Sequence, residues 1–174
     1  MLSSDFLSDL KVFVKRAQTI TVGAAAVKKQ KEMAAVCARN LEVFYSEENA
    51  NLGDYIEKHK GPGFTGRLFE MIDARGLSDK VVYHKAGIDR RLFSKIRSDP
   101  DYHPSKATVI ALGIALEADL DELEALLSEA GYALSSSETF DLIIRYCVEQ
   151  RVFDLDAVNE ALDSFQIKPL GGVA

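Results

Sequence analysis

The stretch from Leu77 to Leu126 constrains the fold of this chain more than any other segment. Two short runs with helical periodicity meet there at Ala86-Gly87-Ile88-Asp89. Glycine can end the first helix in a left-handed conformation, and aspartate can cap the second. Ser78 is a candidate cap for the first helix, which should bury Val81, Val82 and Ala86. The sequence therefore predicts two helices joined by a tight turn.

The helix after Asp89 is predicted to be amphipathic, with a basic outer face. Phe93 and Ile96, together with Ile88 before the cap, fall on the side that would pack inward. The side chains expected to point mostly outward are Arg90, Arg91, Ser94, Lys95 and Arg97. Such a face can contact phosphates or the edges of bases. The alternative is a solvated face whose arginines pair with neighbouring acids.

The rest of the stretch predicts a loop and two further core helices. Two prolines between Ser98 and Pro104 exclude a continuous helix there. Ser105 should then cap a helix containing VIALGIAL, which is apolar nearly all round and therefore buried. Asp119 and Glu122 have capping-box spacing for the next helix. The buried positions predicted for this core are Ile88, Phe93, Ile96, Ile110, Ile114 and Leu123.

The order of these features resembles the helix-turn-helix core of λ-repressor-like regulators. The residues that carry the resemblance are Leu77-Ser78, Ala86-Gly87-Ile88, Phe93-Ser94-Lys95-Ile96, Pro104-Ser105, Ile110 to Leu116 and Leu120-Asp121-Glu122-Leu123. The resemblance implies transcription regulation by DNA binding through the second helix, which enters the major groove in this fold. Residues 69–162 also resemble a helical module at the C-terminal ends of some bacterial macro-domain proteins, although no macro domain is visible in the chain.

Two positions depart from the repressor pattern and favour a second function. The first motif helix starts with Asp79, where relatives commonly have glutamine, and the loop carries Asp99 and Asp101, where relatives often have glycine and basic residues. Each acid should oppose a phosphate contact and so reduce the counterion-release contribution to affinity. The alternative is a protein-interaction or sensor module that docks a partner through the N-terminal arm or the acidic C-terminal region. The macro-domain resemblance favours this alternative.

Helices are also predicted upstream of the core, which is expected to span residues 64–134. Residues 1–60 should form an arm of two to three helices, and Gly61-Pro62-Gly63 marks its end. The first helix carries an apolar stripe, and a longer one is predicted from about Ala24 to Ser46, with Lys28, Lys29 and Lys31 on its polar side. Those lysines form a solvated face or a site for an anionic partner. The arm should pack on the core or form a homodimer. The stripe of the first helix comprises Phe6, Leu10, Phe13, Val14 and Ala17.

Downstream, residues 135–167 are predicted to form an acidic helical extension packed on the core. One helix should begin at Ser136 or Ser137 and another at Asp154. Residues 168–174 are expected to fray. Because no segment of useful length has the two-residue period of a strand, the predicted class is all-α.

Charge is divided unevenly along the chain. The net charge of −6 argues against a generic nucleic-acid binder. Residues 118–174, however, hold twelve acidic and only three basic side chains, whereas residues 78–98 hold six basic and two acidic ones. This uneven distribution of charge is expected to concern the partners of the molecule more than its folding.

The sequence shows no catalytic or metal-binding set, so we expect neither enzyme activity nor a cofactor. Of the three histidines, only His103, beside Asp99 and Asp101, could bind a cation or act in acid–base chemistry, and a polar loop is the simpler interpretation. Cys37 and Cys147 lie far apart in apolar segments, which predicts buried, reduced thiols. A cytoplasmic location and no membrane contact are expected, because no apolar run approaches about 20 residues and the N-terminus carries acids where a signal peptide carries bases.

Overall fold

The computed structural model describes residues 4–19, 52–99 and 102–171, and every regular element in these ranges is an α-helix. The predicted all-α class is confirmed. The predicted helix from about Ala24 to Ser46, with its three lysines and Cys37, lies outside the described residues, as does Asp101. The described helices are α1 (Ser4–Thr19), α2 (Leu52–His59), α3 (Gly63–Ala74), α4 (Asp79–Lys85), α5 (Arg90–Ser98), α6 (Lys106–Ala115), α7 (Leu120–Glu129), α8 (Thr139–Glu149) and α9 (Leu155–Asp163).

Helix α6 lies at the centre of the core because it lacks a polar face. Every residue from Val109 to Leu116 is buried, and α4, α7 and α9 pack against the helix. Gly113 allows the close approach of α7, since a Cβ atom at this position would lie 2.5 Å from Cδ1 of Leu123. The six core positions predicted from the sequence are all buried.

Aspartate and serine caps fix the starts of four helices at the predicted residues. The Asp89 carboxylate accepts the Arg91 backbone N–H at 2.5 Å, and the Asp154 carboxylate accepts that of Ala157 at 3.0 Å. Ser105 caps α6, and Asp119 forms a capping box with Glu122 at the start of α7. These bonds satisfy N–H groups that have no partner within the helix.

Three local predictions were wrong. Ser78 occupies the N-cap position of α4, but its side chain accepts no hydrogen bond from a backbone N–H of that helix. Val81 is 40% exposed, because the buried side of α4 passes through Val82 and Ala86 instead. Helix α8 begins at Thr139 rather than at Ser136 or Ser137, because the Ser137 backbone N–H bonds to the Ser135 hydroxyl and holds a turn there.

Helix α1 packs on α8 through the predicted stripe. Leu10 and Val14 are buried, and the rings of Phe6 and Phe13 lie 5.4 Å and 5.0 Å from that of Tyr146. The first helix of the arm therefore packs on α8, which belongs to the predicted C-terminal extension and not to the predicted core of residues 64–134.

A buried ion pair joins α6 to the start of α8. Asp141 is the one charged residue among the buried residues of the described ranges, and its Oδ2 accepts from Lys106 Nζ at 2.6 Å and from the Ser135 backbone N–H at 2.7 Å. Loss of Lys106 would leave the buried Asp141 carboxylate without a compensating charge. The pair therefore fixes how the C-terminal extension sits on α6.

The expectation of a frayed tail is wrong for residues 168–171. The side-chain amide of Asn159 accepts the Leu170 backbone N–H at 2.7 Å and donates to the Leu170 carbonyl at 3.0 Å. Leu170 is buried, and Gly171 lies against the carbonyls of Ala86 and Gly87. We call these two Asn159–Leu170 bonds the tail clamp. The two bonds of the clamp and the burial of Leu170 compensate for the hydration that the chain end loses when it is ordered.

Candidate functional site

The candidate site is the outer surface of α4 and α5, which we call the α4–α5 surface. All five site residues predicted from the sequence lie on α5 and are exposed. Phe93 and Ile96 are buried beneath them and fix the rotation of the helix. The predicted division of α5 into an apolar inner side and a basic outer side is therefore confirmed.

A groove of about 510 Å³ runs between the two helices. It brings together three of the five predicted residues, Arg90, Ser94 and Arg97, with Phe93 at its base. Helix α4 contributes Asp79, Lys80 and Tyr83. Arg91 and Lys95 do not line the groove. Lys80 is a cation that the sequence reasoning missed, because a single lysine beside an aspartate carries no distinguishing pattern.

Arg97 is engaged within the chain. Its guanidinium forms an ion pair with the Asp79 carboxylate and lies 4.5 Å over the ring of Phe69. The acid that departs from the repressor pattern thus holds a cation of α5 in place. Arg97 is oriented by these contacts, but part of its charge is already compensated.

Lys95 and the loop that follows α5 also make contacts within the chain. The Lys95 ammonium lies 4.5 Å from the centre of the Tyr102 ring, a cation–π contact. The Tyr132 hydroxyl donates to the Pro104 carbonyl at 3.1 Å, and the His103 ring packs edge-on against Tyr132 at 5.3 Å. Among the described residues, no group of three or more His, Cys, Asp or Glu side chains could hold a metal ion. The contact of His103 within the described residues is therefore with Tyr132, and the predicted cluster of His103 with Asp99 and Asp101 stays a prediction because Asp101 lies outside those residues.

Arg90 and Arg91 differ from the other two basic residues of α5. Neither forms an ion pair with any residue in the ranges 4–19, 52–99 and 102–171. They are adjacent and exposed in the first turn of α5. A guanidinium can bind a phosphate or a guanine edge through two parallel hydrogen bonds. This pair is therefore the part of the surface best able to bind an anion.

A second groove, of about 270 Å³, lies beside the starts of α5 and α6 and includes part of the tail. Asp89, Leu92 and Ser105 line one side, and Lys168 and Pro169 line the other. The tail clamp places Lys168 there. Sequence reasoning missed this residue because it assigned residue 168 to a frayed end, and the amide of Asn159 gave the only signal to the contrary.

Cys147 is a structural thiol. It is free and buried in α8, and burial raises its pKa to about 12. The thiol is therefore protonated near neutral pH, where a nucleophile would need to be a thiolate. The prediction of a buried cysteine is confirmed for Cys147.

No family model, curated protein or solved structure matches this chain. Within the ranges that the structure describes, each helix is too short or too polar to span a bilayer.

Proposed function

We propose that this chain is a helix-turn-helix regulatory protein that binds duplex DNA through α5. The observation that carries the proposal is the pair Arg90 and Arg91, exposed in the first turn of a helix whose inner side is fixed by Phe93 and Ile96. The adjoining groove adds the cation of Lys80. The resemblance of the stretch from Leu77 to Leu126 to λ-repressor-like cores supports the same function.

The site residues have different proposed roles. Arg91 and Arg90 read bases or bind phosphates, because both guanidinium groups are available. Ser94 lies one turn further along, at the groove, and can bond to either kind of group. Lys95 and Arg97 contact phosphates, and Arg97 contributes less than Arg91 because Asp79 shares its charge.

The test is a salt titration of DNA binding by a double variant, Arg90→Ala with Arg91→Ala. If both side chains contact phosphates, the slope of log K against log salt should decrease in magnitude by about 1.8, and each lost base contact should cost roughly 1 to 3 kcal/mol. The measurement is fluorescence anisotropy with short genomic duplexes at several salt concentrations.

The matched control is Lys11→Ala with Arg16→Ala. These residues are exposed on α1, which packs on α8, and the variant removes the same charge. The control should bind as the wild type does, apart from a small loss shared by any protein of lower charge. Equal affinities for the wild type and the Arg90/Arg91 variant at every salt concentration would contradict DNA binding by α5.

A second candidate function is docking of a protein partner. The observation that favours it is that two cations of α5 already contact residues of this chain. Arg97 forms an ion pair with Asp79, and Lys95 lies over the ring of Tyr102. Both contacts lower the positive charge available to a phosphate backbone. The resemblance of residues 69–162 to a module attached to macro domains points the same way. Purification at moderate salt distinguishes the two functions, since nucleic acid accompanies a DNA reader and a protein accompanies a docking module.

A further inference from the structure

The chain after α9 holds Lys168 in a fixed position beside α5. We call residues 167–171 the ordered tail. The Ile167 backbone N–H donates to a carbonyl in the last turn of α9 at 3.1 Å, and the tail clamp holds Leu170. Pro169 restricts the backbone of the residue before it to extended conformations. Little backbone freedom is therefore left for Lys168 to lose when its side chain binds a partner.

The end of the ordered tail lies against the turn between α4 and α5. Leu170 is buried, and Gly171 adopts a left-handed conformation with a φ of +61°. A Cβ atom at Gly171 would lie 3.2 Å from the carbonyl oxygens of Ala86 and Gly87. The same turn positions α5. The tail and α5 therefore share one support, and Lys168 keeps a defined place relative to that helix.

Helix α5 has a groove on each side of its outer surface. Arg90 and Ser94 border the groove shared with α4, whereas Leu92 borders the second groove, across which Lys168 lies. At 3.6 residues per turn, Leu92 projects from the flank of α5 opposite Arg90 and Ser94. A helix that enters the major groove, which is about 12 Å wide, has one phosphate backbone on each side. In a duplex bound to α5, the second groove would therefore lie toward one backbone and the groove shared with α4 toward the other.

Lys168 is the cation available on this second flank of α5. Of the described residues that line the second groove, it is the basic one. Its side chain is exposed and forms no ion pair within the described part of the chain. Lys106 begins α6 nearby, but its ammonium is bonded to the buried Asp141 carboxylate at 2.6 Å. A phosphate on this flank would therefore find its free positive charge on the tail.

The charge of the surrounding region makes this placement informative. Residues 118–174 hold twelve acidic side chains and only three basic ones. Arg145 forms an ion pair with Glu124 at 2.6 Å, and Arg151 lines a different groove beside the acidic start of α9. Lys168 lies instead beside the basic helix. A lysine that served only to neutralise the acidic region would be expected among its acids, so the position of Lys168 points to a partner of α5.

We propose that Lys168 binds a phosphate of duplex DNA on the flank of α5 away from α4, which makes the ordered tail part of the DNA interface. This inference rests on the proposed function of α5. The Asp89 carboxylate lies on the α5 side of the second groove and repels phosphate there, so the contact belongs to the tail side. Because a phosphate carries no sequence information, Lys168 contributes affinity and orients the duplex, and the selection of bases is left to α5.

The first experiment repeats the salt titration on the full chain with Lys168→Ala and Lys168→Arg. Loss of one phosphate contact should lower the magnitude of the slope of log K against log salt by about 0.9, and by the same amount for every duplex. Lys168→Arg keeps the charge and should keep the slope of the wild type. The matched control is Lys11→Ala, which removes the same charge from an exposed position of α1 and should leave the slope unchanged.

The second experiment tests whether the ordered tail positions Lys168. Asn159→Ala with Leu170→Ala removes both bonds of the clamp and the buried side chain, but it changes no charge. The slope should nevertheless fall to that of Lys168→Ala, and adding Lys168→Ala should lower it no further. A charge that acted through the general field would instead have the same effect in both backgrounds. Arg91→Ala should reduce the affinity by the same factor in both, which shows that α5 remains intact.

Two results would overturn the inference while the Arg90/Arg91 variant still loses binding: a Lys168→Ala slope that matches that of Lys11→Ala, or a released tail that keeps the wild-type slope. The proposed function of α5 would then stand. A wild type without affinity for duplex would overturn both. If Lys168→Ala left duplex binding unchanged but lost a co-purifying acidic protein, the tail would be a docking surface and the inference would be wrong.

Discussion

Helices α5 and α9 each have nine residues and begin after an aspartate cap, but they carry opposite charges on their outer sides. Phe93 and Ile96 are buried on α5, and Val158 and Leu162 are buried on α9. The outer residues are basic on α5 and acidic on α9. The cap and the buried residues therefore determine where each helix lies, whereas its outer residues determine what it can bind. The outer charges are Arg90, Arg91, Lys95 and Arg97 on α5, and Asp156, Glu160 and Asp163 on α9.

The two helices are also held differently. The tail clamp is made by Asn159 in the middle of α9, and Leu155 at the start of α9 lies against the turn between α4 and α5. A Cβ atom added at Gly87 would come within 2.8 Å of Leu155 Cδ2, and Gly87 has a φ of +59°. Only glycine satisfies both requirements at low cost. The acidic helix thus supports the turn that positions the basic one.

The largest expected effect comes from the buried side of α5. Phe93→Ala removes a ring that contacts those of Phe69 and Tyr83, each with a centroid separation of 5.9 Å. It should lower the free energy of unfolding by roughly 3 to 5 kcal/mol. Urea denaturation measures the change, and Ser94→Ala on the exposed side of α5 is the control. A loss no greater than that of the control would show that the apolar stripe does not anchor α5.

An intermediate effect is expected at the tail clamp. Asn159→Ala removes both bonds to Leu170 and should cost roughly 1 to 3 kcal/mol, because a partly buried N–H and carbonyl lose their partner. Asn159→Asp keeps an acceptor for the Leu170 N–H but places a carboxylate oxygen against the Leu170 carbonyl, so it should also weaken the clamp. Hydrogen exchange at the Leu170 amide measures release of the tail. Unchanged protection in Asn159→Ala would show that the buried leucine holds the tail without the clamp.

Short-range sequence patterns predicted the start and the buried side of α5 well, but they did not predict the contacts between its outer residues and neighbouring helices. Asp89, Phe93 and Ile96 act within a few residues of one another, so their roles follow from helical spacing. The pairing of Arg97 with Asp79 joins residues on two helices, and that of Lys106 with Asp141 spans an even longer separation. Helical periodicity carries no information on which outward residues of different helices meet.

The N-terminal arm shows the same limit of sequence-based prediction for apolar residues. Helices α1 and α2 both carry apolar stripes in the sequence, but α1 buries Leu10 and Val14 on α8, whereas α2 leaves Leu52 and Ile56 exposed. A stripe predicts that a helix has a face to cover. It does not predict which surface covers it, because that depends on where the chain places the helix.

The smallest expected effect, and the one that separates the two candidate functions, comes from the acids of α9. Asp154 must stay, because its carboxylate caps the helix. The informative variant is therefore Asp156→Asn with Asp163→Asn, which removes two exposed charges from α9. Its stability should change by less than about 1 kcal/mol, since both carboxylates are solvated. Asp121→Asn with Glu149→Gln removes two exposed acids elsewhere and is the matched control.

If the chain binds DNA, the α9 variant should bind duplex more tightly than the wild type at low salt, because its negative field no longer opposes the phosphates near α5. The gain should disappear as the Debye length shortens below about 8 Å. A gain larger than that of the control would locate the effect at α9, whereas equal gains would reflect net charge alone. If the chain docks a protein instead, duplex affinity should stay negligible and a basic partner that co-purifies with the wild type should be lost. A variant that matches the wild type in both assays would leave the acids of α9 as a solvated face, and the contrast with α5 would then concern solubility rather than partners.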